Sequence, residues 1–143
     1  MITAMVQTKL LATTAVTALV STRIYVDGMP QNPTLPAITI HPVSGVPDKD
    51  VSKATSARVQ VSCWSNPAVT GGLRSPAQVE TVAAAVRAVL HKPRLNTSPQ
   101  RWTVGSVSYD IITCRCTGGV RLIDPGTNWY HVPVDVLIEY NEV

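Results

Sequence analysis

Cys63, Cys114 and Cys116 are the residues of this chain best suited to covalent or metal chemistry. Cys114 and Cys116 flank Arg115, so on a strand both thiols share a face. A zinc site needs a closed set of Cys and His ligands, and no second pair lies near this one. The spacing favours small buried apolar side chains, three free thiols and no cofactor. An odd cysteine count outside any disulfide framework points to a reducing compartment. His41, His91 and His131 fall in no zinc-binding spacing. Ser44 and Ser62 lie in no nucleophile elbow. Asp110, Asp124, Asp135 and Glu139 are too scattered to pair as acid and base. No phosphate-cradling glycine loop is present, and no dinucleotide fingerprint. Enzyme chemistry therefore has no set of residues to rest on.

The basic residues invite a different reading. Lys49 and Lys53 fall in a polar stretch over 44–56, and Lys92, Arg94 and Arg101 in another over 92–102. The formal net charge is only +3. That is compatible with passing contact to nucleic acid but is not the dense basic face of a dedicated binder. Single-strand binders interleave basic residues with stacking aromatics. Trp64, Trp102 and Trp129 are instead spread along the chain.

The elements that must carry these side chains are legible in part. From Trp129 to Tyr140, apolar residues alternate with a mostly polar set. Tyr130, Val132, Val134, Val136, Ile138 and Tyr140 share one parity. His131, Pro133, Asp135, Leu137 and Glu139 share the other. This is a half-buried strand, its second face wet or against a partner. Pro133 cannot donate to a ladder, so one side is unpaired or bulged there. Ala57–Ser65 alternates in the same way, and Ala37–Val43 reads as a further strand. Residues 3–20 read as helix, with Met5, Val6, Ala12, Val16 and Val20 on one face and a break offered at Thr13-Thr14. Ser75–His91 reads as a second helix. Ser75 and Gln78 form a capping box, Pro76 takes the first position, and Val79, Val82, Ala83, Val86, Val89 and Leu90 form the apolar stripe. Its back carries Thr81, Ala84, Ala85 and Ala88. That row is either plain helix former or a packing face for a neighbouring subunit.

The remaining segments read as connections or short extended pieces. Arg23–Val26 is extended and closes at Asp27-Gly28. The stretch 29–36 is proline-rich, and 66–74 is a loop. Thr103–Thr117 is one long extended segment of mixed parity, hence bulged. Gly118-Gly119 turns the chain, and Val120–Ile123 pairs with the last strand through the loop 124–128. The expected fold is α+β: one domain over 1–143, with an antiparallel or mixed sheet of four to five strands and two helices packed on it. Leu10–Val20 lacks a cationic leader, and no span reaches ~18 apolar residues, so no membrane segment is expected.

The order of these segments resembles the tail-completion proteins of long-tailed bacteriophages, also called tail terminators or head–tail joining proteins. The resemblance rests on Arg23-Ile24-Tyr25 with Pro30 and Leu35-Pro36, on Ala57–Trp64, on Val79–Leu90 and on Thr127–Val136. Pro133 departs from the ordinary strand residue expected there. The resemblance implies a non-enzymatic structural protein of the virion, at the head-proximal end of the tail and assembled in the host cytoplasm. It implies a homo-hexameric ring that caps the tail tube, ends its polymerisation and joins a head connector. Its partners would be copies of itself, the major tail tube protein, the head completion or connector protein, and DNA passing through the lumen without sequence specificity. Lys49, Lys53, Ala84, Ala85, Ala88, Lys92, Arg94 and Arg101 are then candidate contacts between subunits or with the lumen. A neck or ring protein of a contractile tail or tail-like particle is the alternative reading. A small enzyme is a further one.

Overall fold

The computed structural model describes residues 2–46, 55–66, 68–70, 73–92 and 100–143. Three helices, α1 (Ile2–Leu11), α2 (Thr14–Val20) and α3 (Ala77–Leu90), lie on one face of a mixed sheet. The strands are β1 (Ile24–Val26), β2 (Ala37–Val46), β3 (Thr55–Ser65), β6 (Gln100–Val104), β7 (Val107–Gly118), β8 (Leu122–Ile123) and β9 (Tyr130–Glu142). Their order is β1-β2-β3-β9-β7-β6, and β8 pairs with β9. Among the described residues only β1–β2 is parallel. A separate two-stranded hairpin joins β4 (Ala68–Thr70) and β5 (Leu73–Ser75).

β9 is the central strand, and its alternation is the expected one. Val132, Val134, Val136 and Ile138 are fully buried. They meet Val59, Val61 and Cys63 of β3 across the register Val59↔Val136, Val61↔Val134 and Cys63↔Val132. The helices close this face with Met5, Val6, Leu10, Val16, Val20, Val79, Val82, Val86 and Leu90. Burying one such aliphatic side chain stabilises the fold by ~1.5–3 kcal/mol. Pro133 sits where a missing N–H does least harm. β7 pairs β9 as far as Val134, and β8 begins at His131. Pro133 lies in the gap between them.

The sheet curls around α1. That helix touches β1 and β2 near one edge and β6 at the other. At β1, Gln7 Nε2 donates to the Ile24 carbonyl at 2.8 Å. At β6, the Lys9 ammonium lies 5.5 Å from the centre of the Trp102 ring. α1 and α2 meet at 87°, so the chain does break beside Thr13. Among the described residues no single helix is long and apolar enough to cross a membrane. Ala12, placed by its spacing on the buried stripe, is exposed beside the bend.

Several expectations need correction. Among the described residues seven strands form the sheet, not four or five, and three helices replace two. The segment 103–117 is not one strand. β6 and β7 form a hairpin with a tight turn at Gly105-Ser106, where Gly105 adopts φ +60. The expected bulge lies in β7, between Ile111 and Thr113. The 66–74 loop contains β4 and most of β5. The capping box read at Ser75 falls on a side chain outside the described residues. Ser75 ends β5, and the cap position falls to Pro76, which makes no side-chain cap bond. The 44–56 loop is shorter than read, because β2 runs to Val46 and β3 starts at Thr55.

The parity of β9 yields a paired test. Val136→Lys places an unpaired charge in the core and costs on the order of 4 kcal/mol or more. Its melting temperature should fall by more than about 10 °C. Glu139→Lys, on the other face, should melt within about 2 °C of the parent. Thermal denaturation of the two variants checks this.

Candidate assembly surfaces

The side of the sheet away from the helices is the first surface. Tyr25, Thr39, His41, Arg58, Gln60, Ser62, Trp64, Arg115, Pro133, Asp135 and Leu137 belong to it by register. It is not uniformly wet: Thr39 and Ser62 are each 2% exposed. The cover comes from aromatic packing at the end where β3 finishes and β9 begins. Trp64 and His131 stack with centroids 4.0 Å apart and planes 1° apart. Trp129 meets Trp64 edge-on at 6.4 Å. Trp64 Nε1 donates to Thr39 Oγ1 at 3.0 Å, which fixes the indole and satisfies a buried hydroxyl.

A rigid turn places Trp129. Asp124 Oδ2 accepts from the Thr127 backbone N–H at 3.0 Å and from Thr127 Oγ1 at 2.7 Å. Asn128 takes the left-handed conformation, φ 62, and its N–H donates to the Asp124 carbonyl. Asx side chains favour such turns. Sequence reading found the turn but not the cluster, because the pairing of Trp64 with His131 depends on strand register.

The same end carries exposed aliphatics. Val120, Leu122 and Ile123 are 72%, 48% and 50% exposed. The chain reaches them through Gly118 and Gly119, both with positive φ. Gly119, at φ +107, takes a conformation that L side chains rarely adopt, which favours glycine at this turn. Arg87 donates toward the Gly118 carbonyl, and Arg121 lies 3.6 Å from Glu80. Both contacts hold the 118–123 segment beside α3.

The outer side of α3 is the second surface. Thr81, Ala84 and Ala88 are exposed, while Ala85 is half-buried and packs toward the core. Ala85 is the least exposed member of the row. Lys92 is half-buried, and its N–H and carbonyl both pair with Cys114 of β7. Arg101 stands on β6, not in a loop, and forks onto Asp110 at 2.8 and 3.2 Å. That contact holds the Asp110 carboxyl below its usual range. Lys92 and Arg101 thus flank the same edge of β7. Lys49, Lys53 and Arg94 lie outside the described residues.

The cysteines are packed into the sheet. Cys63 and Cys114 are buried and Cys116 is half-buried, all as free thiols. Burial pushes Cys63 and Cys114 up to about 12 and Cys116 to about 11; nearby Arg87 opposes this at Cys63 and Cys116. Among the described residues no group of three or more His, Cys, Asp or Glu could hold a metal ion. His131 is held below its usual value, first by burial and further by His41, with Asp124 opposing. Its Nε2 is buried and meets no hydrogen-bond partner among the described residues.

These features describe a small α+β structural protein whose distinguishing features lie on its surfaces. The model of the family described as tail completion protein gp17 matches residues 4–140. The chain belongs to that family. It is a structural protein of the phage virion, and its place is the tail. No curated protein matches it. The fold is similar to that of a chain in a structure titled "Virion of native gene transfer agent (GTA) particle", with a TM-score of 0.69. The two are 16% identical over 96% of this chain and 92% of that one.

Two measurements follow from the site. The folded state disfavours charged His131, so its contribution is fully present above about pH 6.5 and is lost as pH falls through the depressed folded value. Melting temperature should drop between pH 7 and pH 5, and His131→Gln should flatten part of that slope. Cys63, with its thiol pushed up to about 12, should react with a thiol reagent at pH 8 roughly a thousandfold more slowly than an ordinary cysteine. Denaturation should release all three thiols to the same reagent.

Proposed function

We propose that six copies of this chain close into a ring on the head-proximal end of the tail tube. The ring ends tube polymerisation and offers its other side to the connector of the capsid. The observation that carries this reading is the family match, which runs from residue 4 to residue 140. The likeness to a chain of a gene transfer agent virion supports a place within a particle. A ring that closes by rotation needs two different surfaces on each subunit. The sheet end around Trp64, Trp129 and Leu122, and the Thr81–Ala84–Ala88 row, can supply them.

Lys49, Lys53, Lys92, Arg94 and Arg101 are the proposed contacts to neighbouring rings or to DNA in the lumen. Contact there involves phosphates only, without sequence preference and with strong salt dependence. The chain performs no catalysis in this role. Its partners are the tail tube protein on one side and a head completion protein on the other.

Deletion of the gene tests the reading directly. Electron microscopy of the lysate should show filled heads separated from tails, with tails of uncontrolled length. Normal joined particles from the deletion strain would overturn it.

A further inference from the structure

The tip of the proline-rich stretch between β1 and β2 stands in solvent. Pro30, Gln31, Asn32 and Thr34 are exposed, and Pro33 is half-buried. Both ends of the stretch are fixed. The Asp27 N–H donates to the Ile40 carbonyl, and Arg23 Nε donates to the Pro36 carbonyl at 2.9 Å. Between them, the rings of Pro30 and Pro33 lock two φ angles, and Asn32 bends the chain at φ 53. A loop braced in this way loses little conformational entropy when it is covered.

The aromatic corner is open on its outer side. Trp64, His131 and Leu122 lie in one row across β3, β9 and β8, so their side chains share a face. Trp129 has the parity of His131 and meets Trp64 edge-on. Leu122 is 48% exposed, and the three rings are half-buried. Aliphatic and aromatic surface grouped in this way marks an interaction site. Proline is a good occupant for it, because proline-bearing segments dock in aromatic-lined grooves.

Loop and corner sit at opposite margins of the same end of the sheet. The row of Trp64, His131 and Leu122 continues to Ala37 of β2, where the loop rejoins the sheet after Pro36. β1, from which the loop leaves, lies beyond β2, whereas β8 lies on the far side of β9. From β1 to β8 is four strand spacings, roughly 19 Å.

We infer that the tip carrying Pro30 and Pro33 in one copy packs on the corner of Trp64, Trp129 and Leu122 in the next copy. This rests on the ring reading and names one interface that would close it, with the proline loop as the corner's counterpart in place of the α3 row. Tip and corner are different surfaces on opposite margins, so the contact is head-to-tail, and repeated rotation closes a ring. The two are matched in charge as well as in shape. The stretch 29–35 contains no charged residue. In the corner, burial holds His131 below its usual value and therefore neutral at pH 7. Asp124 is turned onto Thr127. Closing the contact leaves no unpaired charge to be stripped of water.

Cysteine pairing in assembled particles tests this. Gln31→Cys and Leu122→Cys are combined in one chain and also made singly. Purified particles are oxidised with copper phenanthroline and run on a non-reducing gel. A ladder of linked subunits from the double variant alone is the expected result. Dimers from either single variant, a bond within one chain only, or no ladder from intact joined particles would overturn the inference. A ladder that ends at a number other than six upholds the docking and overturns the six-fold count. Pro30→Glu and Leu122→Glu give an independent measure. Each isolated chain should melt within about 4 °C of the parent, as expected for a surface position. Each should also cut the yield of joined particles by about tenfold or more, because a charge buried without a partner weakens every contact by at least that factor. A smaller loss from either variant, or a larger melting shift, would overturn the inference. The ring reading itself is tested by the gene deletion, so a missing ladder sinks this contact alone.

Discussion

The fold depends on α1 filling the trough of a curled sheet. Met5, Val6 and Leu10 are fully buried there. The same helix reaches β1 through Gln7 and Trp102 of β6 through Lys9. Strands separated by the full width of the sheet are therefore held by one short helix. Sheets twist with a fixed hand, and a strongly twisted sheet leaves a concave face that one helix can line. α3 lines the rest of it, against β3, β9 and β7.

With the helices on one side, the other side of the sheet is left to polar rows and to one aromatic corner. That division gives the protein a stable interior that does not depend on a partner. It also leaves the exposed part of that sheet face for assembly. The corner at Trp64, His131 and Trp129 is stiff because each ring has its own restraint. Trp64 is bonded to Thr39, His131 is stacked and buried at Nε2, and Trp129 follows the Asp124 turn. Rigid aromatic surfaces lose little conformational entropy when covered, which suits a surface that associates with a partner.

The sequence was informative wherever a pattern had one dominant cause. The parity of β9 and β3, the buried stripe of α3, the bulge in β7 and the Gly118-Gly119 turn all follow from local rules. Pairing was harder to read. A lone glycine in an apolar alternation reads equally as bulge or turn, so Gly105 did not reveal the β6–β7 hairpin. Ser75 with Gln78 three residues on has the pattern of a cap, and its backbone also completes β5, which that pattern does not announce. The alanine row of α3 was visible as a pattern, but only packing could separate half-buried Ala85 from exposed Ala84 and Ala88. The family resemblance added what no local rule contained, a role for a chain without an evident catalytic set.

The amide of Gln7 has a wider consequence. By occupying the Ile24 carbonyl, it takes an acceptor that an incoming strand would need at the β1 edge. Unprotected sheet edges invite strands from other molecules and lead to fibres without a defined end. The short β1 and its side-chain cap make runaway edge pairing unfavourable there.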